Sequence, residues 1–111
     1  QQTFPGDLPD AITAAVRVNF HRLSNDAQGV LVAAAVLDGR VPAALLGRAA
    51  GVEGDALGAA LDELEWQRWL AAEARGYAFV ARIVRDVVDR DMVVPGQRRR
   101  MLDAAGRSAS A

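Results

Sequence analysis

No cysteine occurs in this sequence. Disulfide frameworks, a thiolate nucleophile and thiolate metal sites are therefore all excluded. Lysine is absent as well, and all 13 basic residues are Arg. The single histidine, His21, follows Phe20, a member of an apolar stripe, so it is expected at a packing edge and not as a catalytic base. No Ser sits in a recognisable nucleophile motif. Among the carboxylates Asp62, Glu63 and Glu65, neighbours one residue apart point in different directions on a helix, and nothing suggests a cleft or a matched acid and base. GRAAGVEGD (47–55) has glycines but lacks the G-x-x-x-x-G-K-[ST] pattern of a phosphate loop. The longest apolar run, VLVAAAVL from Val30 to Leu37, is eight residues, far short of the ~20 that cross a bilayer. The opening QQTFPGDLPD lacks Met and any signal-peptide pattern, so the chain reads as a piece of a longer protein. These absences predict a soluble cytoplasmic domain with no enzyme chemistry, no metal and no cofactor of its own.

What remains is a chain of 111 residues, 51% hydrophobic, the profile of one globular domain. Its net charge is only −1, but the charge is unevenly placed. Glu53, Asp55, Asp62, Glu63 and Glu65 fall together with no base among them, whereas Arg75 to Ala111 carries eight Arg against four Asp. The middle is acidic and the end is basic.

Punctuation along the chain predicts six helices and one hairpin. Pro9 suits the first position of a helix, and Ile12, Val16, Phe20 and Leu23 mark its apolar stripe. Ser24 suits the N-cap of a second helix with Asp26 in its first turn. That helix is apolar nearly all round, which predicts the buried centre of the fold. Asp38-Gly39-Arg40 breaks it, Pro42 opens a short third helix, and Gly51 stops that one. A fourth helix starts near Glu53 or Gly54, with Leu57, Leu61 and Leu64 on one face. WLAAE and YAFV flank ARG and predict two strands joined by a tight turn that uses Gly76. A fifth helix covers Arg82 to Asp91. A sixth starts at Pro95 and fades into GRSASA. The expected organisation is a linker over 1–8, a domain over 9–105 and a disordered tail over 106–111. The fold class is mainly α with a small β-hairpin: a winged helix-turn-helix, turning around Ala49 to Asp55, with additional C-terminal helices.

In a DNA-binding winged helix, the helix after the turn enters the major groove with cations on its exposed face. Residues 54 to 67 present Asp55, Asp62, Glu63 and Glu65 instead, which repel a duplex carrying a charge about every 1.7 Å. Arg75 is the only base on the wing. Three adjacent Arg, Arg98, Arg99 and Arg100, spread around a helix and form no single stripe, so ion pairs or solvation account for them better than a nucleic-acid patch. DNA binding by the basic C-terminal half, through Arg75, Arg98, Arg99 and Arg100, stays as the alternative. On the fifth helix Arg82–Asp86, Arg85–Asp89 and Asp86–Arg90 are i, i+4 pairs. Trp66 and Trp69 straddle a helix-to-strand corner and are expected to close the core, with a role as partner-binding or dimerisation anchors as the other possibility.

One junction stands apart. In YAFVARIVRDVV (77–88), a strand pattern hands over to a helix pattern with no Gly or Pro between them. This stretch, followed by VPGQRRRML (94–102), resembles the C-terminal winged-helix module of STAND-type AAA+ signalling ATPases, found in large LuxR-type and SARP-type bacterial transcriptional regulators. Those modules read YRFRHPLVRDAVY, then P..RRRLH. The stretch LSNDAQGVLVAAAVLDGRVPAALLGRAAGVEGDALGAALDELEWQRWL (23–70) is similar to their upstream part, so the resemblance covers about residues 22 to 102. It implies a non-enzymatic module that packs on the nucleotide-binding and helical domains of its own chain and holds the ADP-bound state, with ATP or ADP bound by the parent protein. It also implies a nucleotide-proximal junction, here Ala81, Arg82 and Arg85. Phe79 takes the family's Phe, and Ile83-Val84-Arg85-Asp86 takes L-V-R-D. Ala81 stands where the family places a His near the phosphates, Arg82 replaces the Pro after it, and Leu102 stands where a later His is common.

Overall fold

The computed structural model describes residues 10–110, with side chains as far as Gly106. Pro9 and the linker expected over 1–8 lie outside the described residues. In chain order the elements are α1 (Asp10–His21), α2 (Asn25–Leu37), α3 (Ala43–Ala50), α4 (Gly54–Trp66), β1 (Leu70–Glu73), β2 (Gly76–Phe79), α5 (Arg82–Asp91) and α6 (Pro95–Ser110). The protein is mainly α with a small antiparallel hairpin, in the order of a winged helix-turn-helix flanked by α1, α5 and α6.

α2 is the axle. Ser24 holds an extended backbone at its N-cap and accepts from the Ala27 N–H at 3.2 Å, satisfying one of the orphan donors of the first turn. Val30 to Val36 are all buried, because α3, α4, α5 and α6 pack around this helix. The fully buried Leu31, Leu46, Leu64, Leu70 and Val87 come from α2, α3, α4, β1 and α5, so one core joins every layer. Each such side chain contributes about 1.5–3 kcal/mol by leaving water. Pro42 caps α3, and Gly51 ends it at φ 72°, a left-handed conformation that costs a β-carbon residue about 1 kcal/mol or more. The Val52 N–H then reaches back to the Gly47 carbonyl at 2.9 Å, closing a Schellman turn that leads the chain into α4.

β1 and β2 pair from Leu70↔Phe79 to Glu73↔Gly76, leaving a two-residue loop, Ala74-Arg75. Gly76 therefore begins the second strand and is not inside the turn. The hairpin is fastened to the helices by an element the sequence did not announce. Val41 forms an isolated bridge to Tyr77, with Val41 N–H donating to Tyr77 O at 2.9 Å and Tyr77 N–H donating to Val41 O at 2.8 Å. β2 is thereby covered on both edges and β1 becomes the free one.

α5 occupies Arg82–Asp91 as the periodicity predicts. α6 corrects one expectation: its helical backbone continues to Ser110, through most of the segment expected as a disordered tail. Beyond Pro95 the helix meets no further proline, and Ala, Arg and Ser all tolerate helical backbone.

Candidate functional site

The strand-to-helix junction is built by Val80, Ala81 and the first turn of α5. Ala81 is the N-cap, with extended backbone and no side-chain cap bond, since a methyl group has nothing to offer the first-turn amides. Arg85, one turn further, is not free to meet a ligand. Its Nε and Nη2 donate to the Ala35 carbonyl at 3.1 and 2.8 Å, and its side chain is only 15% exposed. Ala35 lies in the last turn of α2, where carbonyls lack helical partners and carry the negative end of the dipole. Arg85 is thus a C-terminal cap delivered from a distant helix. Its remaining charge faces Asp38, Asp86 and Asp89 at 3.6, 3.3 and 3.8 Å.

Arg82 is exposed but also engaged, reaching Asp38 at 3.1 Å and Asp86 at 3.7 Å. Burial opposes ionisation of Asp38, but the Gly39 N–H and the charges of Arg85 and Arg82 together outweigh it and hold the carboxyl below the ordinary carboxylate range. The junction is therefore a neutralised cluster: two arginines sit beside Asp38 and Asp86. Within this chain Arg82 and Arg85 are engaged in holding α5 to the end of α2, and Ala81 presents only a methyl group.

The outer face of α4 carries Asp55, Asp62, Glu65 and Trp66, all exposed. Glu63, expected on that face, is not part of it. Its Oε2 accepts from the Ser24 backbone N–H at 2.9 Å and its Oε1 from the Ser24 hydroxyl at 2.7 Å. In a capping box the residue three places after the cap returns this bond. Here that position is Ala27, fully buried, and Glu63 supplies the carboxylate from another helix. Glu63→Ala is expected to destabilise the protein by about 1–2 kcal/mol. The exposed neighbour change Asp62→Ala should stay within roughly 0.5 kcal/mol. Urea unfolding of both variants checks the contrast.

The two tryptophans part company. Trp66 is 87% exposed and Trp69 is 7% exposed. Between them Arg68 adopts φ 64°, with Arg68 N–H bonded to Glu65 O and Trp69 N–H to Leu64 O. This is a Schellman turn with Arg in the position glycine usually fills. It swings the chain inward, so Trp69 closes the core as expected while Trp66 faces water. Trp69 is withdrawn as an interaction candidate and Trp66 stands.

Among the nucleic-acid candidates, Arg98 is spent internally, with Nη1 at 2.8 Å from Asp89 and Nη2 donating to the Asp89 carbonyl at 3.2 Å. Arg75 at the hairpin loop and Arg99 and Arg100 on α6 are exposed. Of the three spaced pairs expected on α5, Arg82–Asp86 and Arg85–Asp89 are formed, while Arg90 forks onto Asp91 at 2.9 and 3.0 Å. His21 ends α1, exposed, with its ring edge-on to Phe20 at 5.7 Å. Among the described residues no cluster of His, Asp and Glu has the grouping of a metal site, and no helix is long and apolar enough to cross a membrane. Comparison with protein-family models, with curated proteins and with solved structures returns no match.

Proposed function

We propose that this chain is a non-enzymatic winged-helix regulatory module of a larger STAND or AAA+ ATPase-type signalling protein or transcriptional regulator, and that it works by docking on the nucleotide-binding part of its own chain. The observation that carries this reading is the outer face of α4. The helix placed to read a major groove bears Asp55, Asp62 and Glu65 and no cation from Gly54 to Trp66. Against a duplex it would meet repulsion in place of counterion release. A protein surface is its better complement, and the exposed Trp66 gives it an aromatic anchor of the type enriched in protein interfaces. The resemblance over residues 22 to 102 names the parent. Because the junction cluster around Asp38 is neutralised, the module's contribution is surface docking and not contact with nucleotide phosphate. A parent gene without a P-loop ATPase segment upstream overturns the assignment.

A second reading rests on Arg75, Arg99 and Arg100, which remain exposed on the wing and α6: a winged-helix DNA-binding domain of a transcriptional regulator. Fluorescence anisotropy with labelled random duplex at about 50 mM salt separates the two. The docking reading expects no saturable binding at micromolar protein. Binding that collapses steeply as salt rises favours DNA and sinks docking as the main function.

A further inference from the structure

Between the outer face of α4 and the free edge of β1 lies an open groove of about 1000 Å³, lined by Asp62, Glu65, Trp66, Arg68, Ala72 and Val80 among others. Two of its walls are unusual for a monomer surface. Trp66 is 87% and Val80 56% exposed, although both are large apolar groups that association would remove from water. Its rim is charged, with two carboxylates, Asp62 and Glu65, against the single guanidinium of Arg68. Neither carboxylate takes part in an ion pair among the described residues, in contrast to Asp38, Asp86, Asp89 and Asp91. Asp55, two turns earlier on α4, extends the acidic face beyond the groove. An unpaired acidic rim around an apolar floor selects for its inverse.

We infer that this groove binds a cationic peptide segment on the surface of the parent chain's nucleotide-binding part, one that lays an apolar side chain against Trp66 and Val80 and sets Arg or Lys opposite Asp62 and Glu65. The inference rests on the docking reading and names the face that docks. The free edge of β1 fits the same occupant. Tyr77 spends both backbone groups on Val41, so its partner Ala72 turns its own N–H and C=O away from β2, toward the open edge. An extended segment gains main-chain bonds there while its side chains meet the rim.

The test titrates the whole chain with a labelled synthetic peptide of alternating Arg and Leu, and in parallel with the same peptide carrying Glu in place of Arg. The Arg peptide should bind and shift Trp66 emission to the blue, a change absent in Trp66→Phe, which keeps only the buried Trp69. Trp66→Ala and the double change Asp62→Lys with Glu65→Lys should each weaken binding about ten-fold or more. Arg99→Ala, on α6, should leave it unchanged. Binding that survives Trp66→Ala, equal binding of the Glu peptide, or no binding at about 100 μM peptide overturns the inference. So does occupation of the groove by a second copy of the chain, seen as sedimentation that shifts with concentration and is abolished by Trp66→Ala. If the peptide result fails while duplex binding is also absent, the groove assignment falls and the docking reading stands on another face.

Discussion

Gly76→Ala should unfold this protein more readily than any other single methyl group added to it, by about 3 kcal/mol or more. A β-carbon at Gly76 would lie 2.4 Å from the Val41 carbonyl oxygen, 2.5 Å from its carbon and 2.8 Å from the Pro42 nitrogen. All three are backbone atoms, so no flexible side-chain end can yield. The φ of 150° adds a conformation that β-carbon residues rarely adopt. Relief requires separating Val41 from Tyr77, which breaks two bonds of 2.8 and 2.9 Å and shifts Pro42, the cap of α3. Thermal melting should show a Tm lowered by roughly 10–20 °C for a domain of this size. Gly58→Ala is the control, since nothing lies within 4 Å of the added carbon in mid-α4. There the change should stabilise by about 0.5–1 kcal/mol through helix propensity. A Gly76→Ala protein as stable as wild type would mean that the hairpin is not held to the helices through Val41.

Arg85→Met should cost about 2–3 kcal/mol in urea unfolding, while Arg82→Met, three residues earlier, should cost less than about 1 kcal/mol. The methionine keeps the apolar stem but removes the two donors that satisfy Ala35 at the C-terminal end of α2. It also leaves Asp38 and Asp89 without a neighbouring cation that is only 15% exposed. Arg82 is 67% exposed, and water replaces most of what its ion pairs give. The acid limb supplies a second readout. Asp38 has a folded-state pKa below its unfolded one, so its contribution is present above the unfolded pKa and is lost as pH falls through the lower, folded value. Arg85 is one cause of that depression, so the gap between wild type and Arg85→Met should narrow as pH drops below about 4. A gap that stays constant down to acid pH would show that Arg85 acts only through the Ala35 carbonyl.

The helices were legible because their ends are written in local chemistry. Ser24, Pro42, Gly51 and the unbroken periodicity from Arg82 to Asp91 each state a boundary within a few residues of themselves. Two failures share one cause, which is that the partner lies far along the chain. Glu63 reads as a surface acid until α4 is laid beside Ser24, and Arg85 reads as half of an i, i+4 pair until α5 meets the end of α2. Trp66 and Trp69 are three apart, a spacing that shares a helix face. Only the left-handed turn at Arg68 sends them to different sides, and an Arg gives no signal of that conformation where a Gly would. The Val41 bridge is a single residue wide, too short for any alternation to mark it. The groove beside Trp66 was half legible: the acidic run and the tryptophan were visible, and their union with the free edge of β1 and with Val80 was not.

The two side chains that close α2 come from 39 and 50 residues away along the chain. From its own neighbourhood the central helix has the Ser24 hydroxyl on the Ala27 N–H at one end and the Asp38 N–H on the Ala34 carbonyl at the other. The Ser24 N–H and the Ala35 carbonyl are left to the distant side chains. α2 is also nearly uniformly apolar, so it has no face suited to water while it waits. Before α4 and α5 arrive, this segment has exposed grease and open ends, and after they arrive it has neither. The axle therefore cannot precede the wheels: α2 gains its stability in the same step that docks the helices on either side of the hairpin, a device that favours all-or-none folding in a chain without cysteine.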